Sequence, residues 1–255
     1  MQTVYIGNTL INDVFLGSQR MDDVVQQKAP YTIEYLVVAG GGAGGSKIGG
    51  DASGGGGAGG LLSGSLLVSQ NILYQVAVGT GGSVNDGINF GTGYPSYLTG
   101  SNLYAYSFGG GTGGPSNNPG GNGGSGGGGG GRATPGGNAG GLGVVGQGTN
   151  GASSSQQTGG TGGGLAIFSS ITGTSTQYAV GSGMGGGATG SINTGNGGFG
   201  WSAGGGSADG GNGGSGIVVI RYQGEQRGLG GTVSTDNGYT VHQYTSSGTF
   251  LYYSN

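Results

Sequence analysis

Apolar residues along this chain come in short bursts separated by glycine. TIEYLVVA (32–39), LLSGSLLV (61–68), LYQVAV (73–78) and GIVVIRY (216–222) are rich in β-branched and aromatic residues and bounded by Gly. Runs of this length and composition predict β-strands. Near the end, GYTVHQYTSSGTFLYY (238–253) predicts two strands around a Ser-Ser-Gly turn, a C-terminal hairpin that pairs with IVVIRY and completes a sheet. The first 28 residues differ in kind. VYIGN-TLIND-VFLGS-QRMDD-VV repeats with a period of ten, aligning Val4 with Val14 and Val24, Tyr5 with Phe15, and Ile6 with Leu16. Each unit reads as a short strand closed by a Gly-containing turn, so a small β-meander or hairpin set is expected. It is too short to bury a core alone and must pack on its own body, a sister chain or a partner.

Glycine makes up 76 of the 255 residues and falls in blocks, such as GGGAGG (40–45), GGGGAGG (54–60) and GGNGGSGGGGGG (120–131). Each Gly costs a helix roughly 1 kcal/mol relative to Ala, which rules out α-helix there, and Gly strands have nothing to pack. A collagen helix needs Gly at every third position and much proline; here the glycines pair and there are five Pro. The ordered alternative is polyglycine II, an extended threefold helix with about 3.1 Å rise per residue and no internal hydrogen bonds. Its backbone groups must pair with neighbouring segments. A Gly-Gly-X repeat leaves two edges bare for that approach and turns the third outward: Asn122 and Ser125 in one block, Asp209, Asn212 and Ser215 in another. The expected fold is therefore mostly β, with short strands framing a layer of polyglycine-II-like helices and essentially no α-helix. A weak duplication aligns 59–82 with 163–186 and Tyr74 with Tyr178, suggesting a repeated unit of a strand pair feeding a glycine block.

Charge is scarce, with six Lys/Arg, nine Asp/Glu and a net charge of −3. No basic patch is available to neutralise phosphates, which argues against nucleic-acid binding. Cysteine is absent, removing disulfides, thiolate metal sites and a thiol nucleophile. No signal peptide is read at the N-terminus, and no apolar run reaches the ~20 residues that span a bilayer, so membrane insertion is not expected. Catalysis is not expected either. His242, the only imidazole, falls on a strand, and no nucleophile-elbow context supports a triad with Asp236. Asn85-Asp86-Gly87 and Asp236-Asn237-Gly238 read as turns rather than metal ligands, and no cofactor or metal is expected. Three polar and aromatic stretches, 84–108, 147–158 and 192–201, read as loops at the ends of the glycine blocks. Tyrosine and Trp give large contact area at low entropy cost. Tyr94, Tyr97, Tyr104, Tyr106, Phe199 and Trp201 are therefore the candidate receptor-binding residues, with Tyr94–Tyr97 and Phe199–Trp201 as exposed tips.

The frame EYLVVAGGGAGG (34–45), then glycine blocks, then GGSGIVVIRY (213–222) and GYTVHQYTSSGTF (238–250) resembles the glycine-rich domain of tailed-phage virion proteins, especially fibres and tail adhesins. The likeness covers about residues 31–250, and the glycine blocks also resemble the polyglycine II bodies of small distal adhesins. It implies an amino-terminal docking module (1–28), a glycine-rich body (29–222) and the C-terminal strands (223–255). It also implies a virion protein made in the host cytoplasm. Docking to other virion proteins falls to Tyr5, Ile6, Phe15, Leu16 and Val24. The partner outside the virion would be a host-surface glycan or outer-membrane protein. A homo-oligomer is implied, with a trimer as the usual fibre state. A decoration or connector protein without a receptor, and an ice-binding protein on the same glycine helices, are the alternatives.

Overall fold

The computed structural model describes residues 4–6, 9–11, 15–16, 19–20, 31–47, 49–68, 71–84, 91–100, 103–132, 135–204 and 208–253. No α-helix occurs among them. Two five-stranded antiparallel sheets form a sandwich. The first has the order β14 (Thr232–Asp236), β15 (Tyr239–Tyr244), β12 (Ile217–Gln223), β5 (Tyr31–Val38), β6 (Leu61–Val68). The second has the order β13 (Gly228–Leu229), β16 (Gly248–Tyr252), β7 (Leu73–Ala77), β8 (Ser96–Gly100), β9 (Leu103–Ser107). Alternation sorts the side chains. Ile33 and Val37 of β5, with Val218, Ile220 and Tyr222 of β12, point toward the second sheet and meet Tyr74, Leu98 and Phe250 in the main core. Leu36, Val38, Ile217, Val219 and Val241 point the other way. They are covered by a small hairpin, β10 (Ile167–Ser169) and β11 (Thr176–Tyr178), whose Tyr178 is buried with Ile171. Burial on both faces explains why β5 and β12 read as near-continuous apolar runs.

Two expected hairpins are not hairpins. β15 lies in the first sheet and β16 in the second, so the Ser-Ser-Gly link crosses between sheets instead of joining partners. The expected C-terminal hairpin is thus replaced by four strands, β13–β16, shared between the two sheets. The same holds for β6 and β7, whereas β10 and β11 do pair. The 59–82 and 163–186 segments therefore share a layout and a buried Tyr (Tyr74 and Tyr178), not a pairing scheme. Asp236-Asn237-Gly238 does form the expected turn. Asn237 (φ 45°) and Gly238 (φ 81°) are both left-handed, the type I′ signature, and join β14 to β15.

The glycine blocks form a backbone lattice. In segment 39–47, successive N–H groups donate to three different neighbours in strict rotation. Residues 39, 42 and 45 reach Gly60, Gly57 and Gly54; residues 40 and 43 reach Tyr94 and Gly91; residues 41, 44 and 47 reach Gly214, Gly211 and Ala208, at 2.7–3.0 Å. A period of three with no internal bonds is polyglycine II hydrogen bonding. Segment 52–60, buried throughout, bonds to segments 39–46, 108–114, 125–131, 160–163 and 195–201 and to Ser182, six neighbours in all. Segment 124–131 is likewise enclosed, by 52–58, 109–114, 118–121, 149–152, 160–163 and Gly141. The longest glycine runs, 54–57 and 126–131, thus lie in the central helices, where most positions need every edge bare. A β-carbon added at Gly55 would lie 1.9 Å from the Ser182 carbonyl oxygen, and one at Gly127 1.9 Å from that of Thr112. Ser125 does not point outward as expected. It is fully buried, because its helix has neighbours on every side, and its Oγ accepts from the Thr149 N–H. Asn212 and Asp209 are exposed, at the lattice periphery.

Six strands run directly into this lattice. β5 continues as 39–46, β7 as 79–82 and β9 as 108–115, while 52–60 leads into β6, 91–95 into β8 and 208–216 into β12. Core side chains hold sandwiched sheets about 10 Å apart. Where those side chains give way to glycine, the layers close until they hydrogen-bond directly, as in Gly40 to Tyr94 and Gly57 to Gly111. The strand directions put Tyr31 and Tyr252 at the pole opposite the lattice, where their rings stack at 6.0 Å. The chain therefore enters and leaves the sandwich at one pole and carries its glycine loops at the other. Preceding residue 31, β1 (Val4–Ile6) pairs with β2 (Thr9–Ile11) and β3 (Phe15–Leu16) with β4 (Gln19–Arg20), the two antiparallel units expected from the ten-residue repeat.

Candidate functional site

Tyr97 on β8 and Tyr104 and Tyr106 on β9 share the outer face of the second sheet. The register sets Tyr97 opposite Tyr106. Tyr104 and Tyr106, two apart on one strand, fall on the same side. The rings form a ladder: Tyr97 on Tyr106 at 6.0 Å and 9°, and Tyr104 on Tyr106 at 5.9 Å and 8°. Phe108 closes it edge-on to Tyr106 at 5.1 Å. Tyr104 is 78% exposed and Phe108 47%. Two open clefts flank the ladder. One is lined by Leu62, Tyr104, Tyr106, Phe108 and Gln147, the other by Pro95, Tyr106, Phe108, Asn122, Leu142 and Val144. Neither lining contains a charged side chain. Gln147 fixes the edge: its amide accepts from the Phe108 N–H at 3.0 Å and donates to the Tyr106 carbonyl at 2.9 Å. Phe108 and Gln147 were not among the candidates. Their signals were faint, an aromatic two residues beyond Tyr106 and the first residue of a polar stretch.

The remaining candidates do not join this ladder. Tyr94 is partly exposed and belongs to the lattice, where its carbonyl accepts from Gly40. Phe199 and Trp201 lie toward the far end of segment 39–47, roughly 20 Å along at ~3.1 Å per residue. They are half-buried rather than exposed tips. The cause is local: the Trp201 ring lies under Lys47 Nζ at 5.5 Å, its Nε1 donates to the Asp209 carbonyl, and its backbone N–H donates to Ser53 Oγ. Tyr5 and Ile6 sit on β1, and Phe15 and Leu16 on β3. Val24, like Asn85-Asp86-Gly87, lies outside the described residues.

His242 is fully buried on β15, as a strand residue packed in the core. Its Nδ1 is 2.7 Å from the Gly230 carbonyl, an acceptor only, so Nδ1 carries the proton. Nε2 then accepts from Tyr222 Oη at 2.9 Å, while that hydroxyl accepts from the Arg227 N–H at 2.8 Å. Every polar atom of the pair is occupied by structure. Burial pushes the imidazole pKa below 6.5 and the Tyr222 phenol up to about 12. The unfolded chain therefore takes up the proton more readily. This contribution to stability is complete above about pH 6.5 and is lost as pH falls through the folded-state value. Urea unfolding at pH 7.5 and pH 5 is expected to show His242→Gln less acid-sensitive than wild type; equal acid losses would mean that His242 is not the responsible group.

On the outer face of the first sheet, Arg221 Nη2 and Nε both reach Glu34 Oε2, at 2.7 and 2.8 Å, and the guanidinium lies over the Tyr239 ring at 4.8 Å. The pair is part-exposed and ties β12 to β5, a contribution of about 1 kcal/mol or less. No helix among the described residues is long and apolar enough to cross a membrane. Neither a curated protein nor a solved structure matches the chain. The model of the glycine-rich domain matches residues 23–223, from just before the first sandwich strand through the end of β12, and the chain belongs to that family.

Proposed function

We propose that this protein is a virion component of a tailed phage, a tail fibre or tail-tip adhesin. It docks through residues 1–28 and offers its aromatic face to a receptor on the host surface, as an assembled homo-oligomer. The observation that carries this reading is the stacked, uncharged tyrosine ladder on the outer face of the sandwich, beside the glycine lattice. Rigid Tyr platforms give contact area with little entropy cost, which suits recognition rather than turnover. A binding rather than an enzymatic role is supported by the only imidazole being buried and fully engaged. Entry of the chain at the pole away from the glycine loops suits a protein gripped at one end.

The test is competition. Host cells would be incubated with the purified full chain and then challenged with the parent virus. Adsorption should be blocked, and Tyr104→Ala/Tyr106→Ala should block at least roughly 10-fold less well. Both side chains lie outside the core, so the variant keeps its fold. Unchanged adsorption with folded wild-type protein would overturn the receptor role and favour a decoration or connector protein.

A further inference from the structure

The two side edges of the sandwich are finished differently. On one side β6 and β9 face each other. The Gly60 N–H donates to the Phe108 carbonyl and the Leu61 N–H to the Gln147 carbonyl, while the Gln147 amide covers the end of β9. On the other side the first sheet simply ends at β14. This strand reads TVSTD and runs in unbroken register against β15. Thr232, Ser234 and Thr235 are exposed and Val233 is 36% exposed, so both faces of the strand meet solvent. Natural edge strands are guarded by Lys, Pro, a bulge or a covering loop. β14 has no Lys, Pro or bulge, and its only charge is Asp236 at one end.

We propose that β14 pairs antiparallel with β14 of a second copy, about a two-fold axis through Ser234, joining two five-stranded sheets into one. The strand is self-complementary in that register. Ser234 meets Ser234, Val233 meets Thr235, and Asp236 meets Thr232, so no like charges stand opposite each other and the pairs are β-compatible. The contact is isologous because the strand is self-complementary, the same five residues serving on both sides of the two-fold axis. The Asp236 end is held in place: a β-carbon on Gly173, in the β10–β11 turn, would lie 2.6 Å from Asp236 Cγ. The two-fold pair differs from the trimer expected of a fibre. It stands independently of the receptor reading.

The chain has no cysteine, which makes the test clean. Opposed residues of an antiparallel pair have Cα atoms about 4.5–5.5 Å apart, within disulfide range. Full-length Ser234→Cys should therefore give a covalent dimer under mild oxidation, far faster than Ser202→Cys at the exposed lattice rim. Wild type should sediment as a concentration-dependent dimer. Ser234→Lys, which sets two ammonium groups opposite each other, should remain monomeric at concentrations where wild type is more than half dimer. A monomeric wild type, a trimer, a dimer untouched by Ser234→Lys, or equal cross-linking at Ser202 and Ser234 would each overturn the proposal.

Discussion

Alanine at Gly56 is expected to cost the protein at least about 4 kcal/mol. Gly56 sits in the middle of the enclosed segment 52–60, where three segments meet. Its N–H donates to the Gly198 carbonyl, the Gly198 N–H donates to that of Gly42, and the Gly42 N–H to that of Gly57, each at 2.8 Å. A β-carbon at 56 would lie 2.1 Å from the Gly42 oxygen and 2.8 Å from that of Ala43. These are backbone atoms and cannot rotate away, so segment 39–46 must shift by about an ångström. That shift breaks bonds in all three segments and strands their buried groups, each worth about 1–3 kcal/mol when left unpaired. For a domain with roughly 5–15 kcal/mol in hand the loss is severe, and the melting temperature should fall by about 10 °C or more. Gly50→Ala is the control. It is exposed, a β-carbon there meets nothing within 4 Å, and its melting temperature should hardly move. Ala58 shows that the objection is to place rather than size, since its methyl group packs with Leu61 and Tyr178 beside the β10–β11 hairpin. If Gly56→Ala melts with wild type, the lattice is not close-packed there.

The same physics decides what could be read from the sequence. Glycine runs bounded by apolar strands can be ordered only if their backbones pair, so polyglycine II was legible from the blocks alone. The Gly-Gly-X rule pointed to the periphery, where Asn212 is indeed exposed. It failed at Ser125 because a helix with six neighbours has no outward edge, and only the tertiary arrangement tells which helix that is. Strands were legible from β-branched runs, but their partners were not. A short link such as 245–247 serves equally to turn a hairpin or to cross a sandwich, and the alternation within β15 and β16 does not say which sheet each strand joins. The tyrosine ladder was half legible. Tyr97, Tyr104 and Tyr106 stand out in the sequence by their chemistry, but their stacking depends on the β8–β9 register. Trp201 looked like a tip because nothing in its neighbourhood of sequence announces Lys47 or Asp209.

Phe250→Ala is expected to be as damaging as Gly56→Ala, at about 3–5 kcal/mol, and to melt the lattice without touching it. Phe250 is fully buried on β16 of the second sheet, yet its ring stands edge-on to His242 of the first at 5.1 Å and tilted against Tyr74 at 6.2 Å. It is a main contact through which the sheets hold each other. Gly228 leaves the room for it: a β-carbon there would come within 2.5 Å of Phe250 Cε2. Truncation leaves a cavity beside the imidazole, so water reaches His242 and its acid sensitivity should weaken along with the loss of stability. The lattice is held mainly by backbone bonds, with side-chain ties such as Trp201 to Asp209 and Ser182 to Gly198 at a few points, and six of its segments are positioned by the strands they extend. Hydrogen exchange should therefore show the amides of 52–60 opening together with those of β12 and β15, in wild type at high protection and in Phe250→Ala at much lower protection. If the glycine amides keep their protection while the strand amides lose theirs, the lattice is a separate cooperative unit and the sandwich is not its frame.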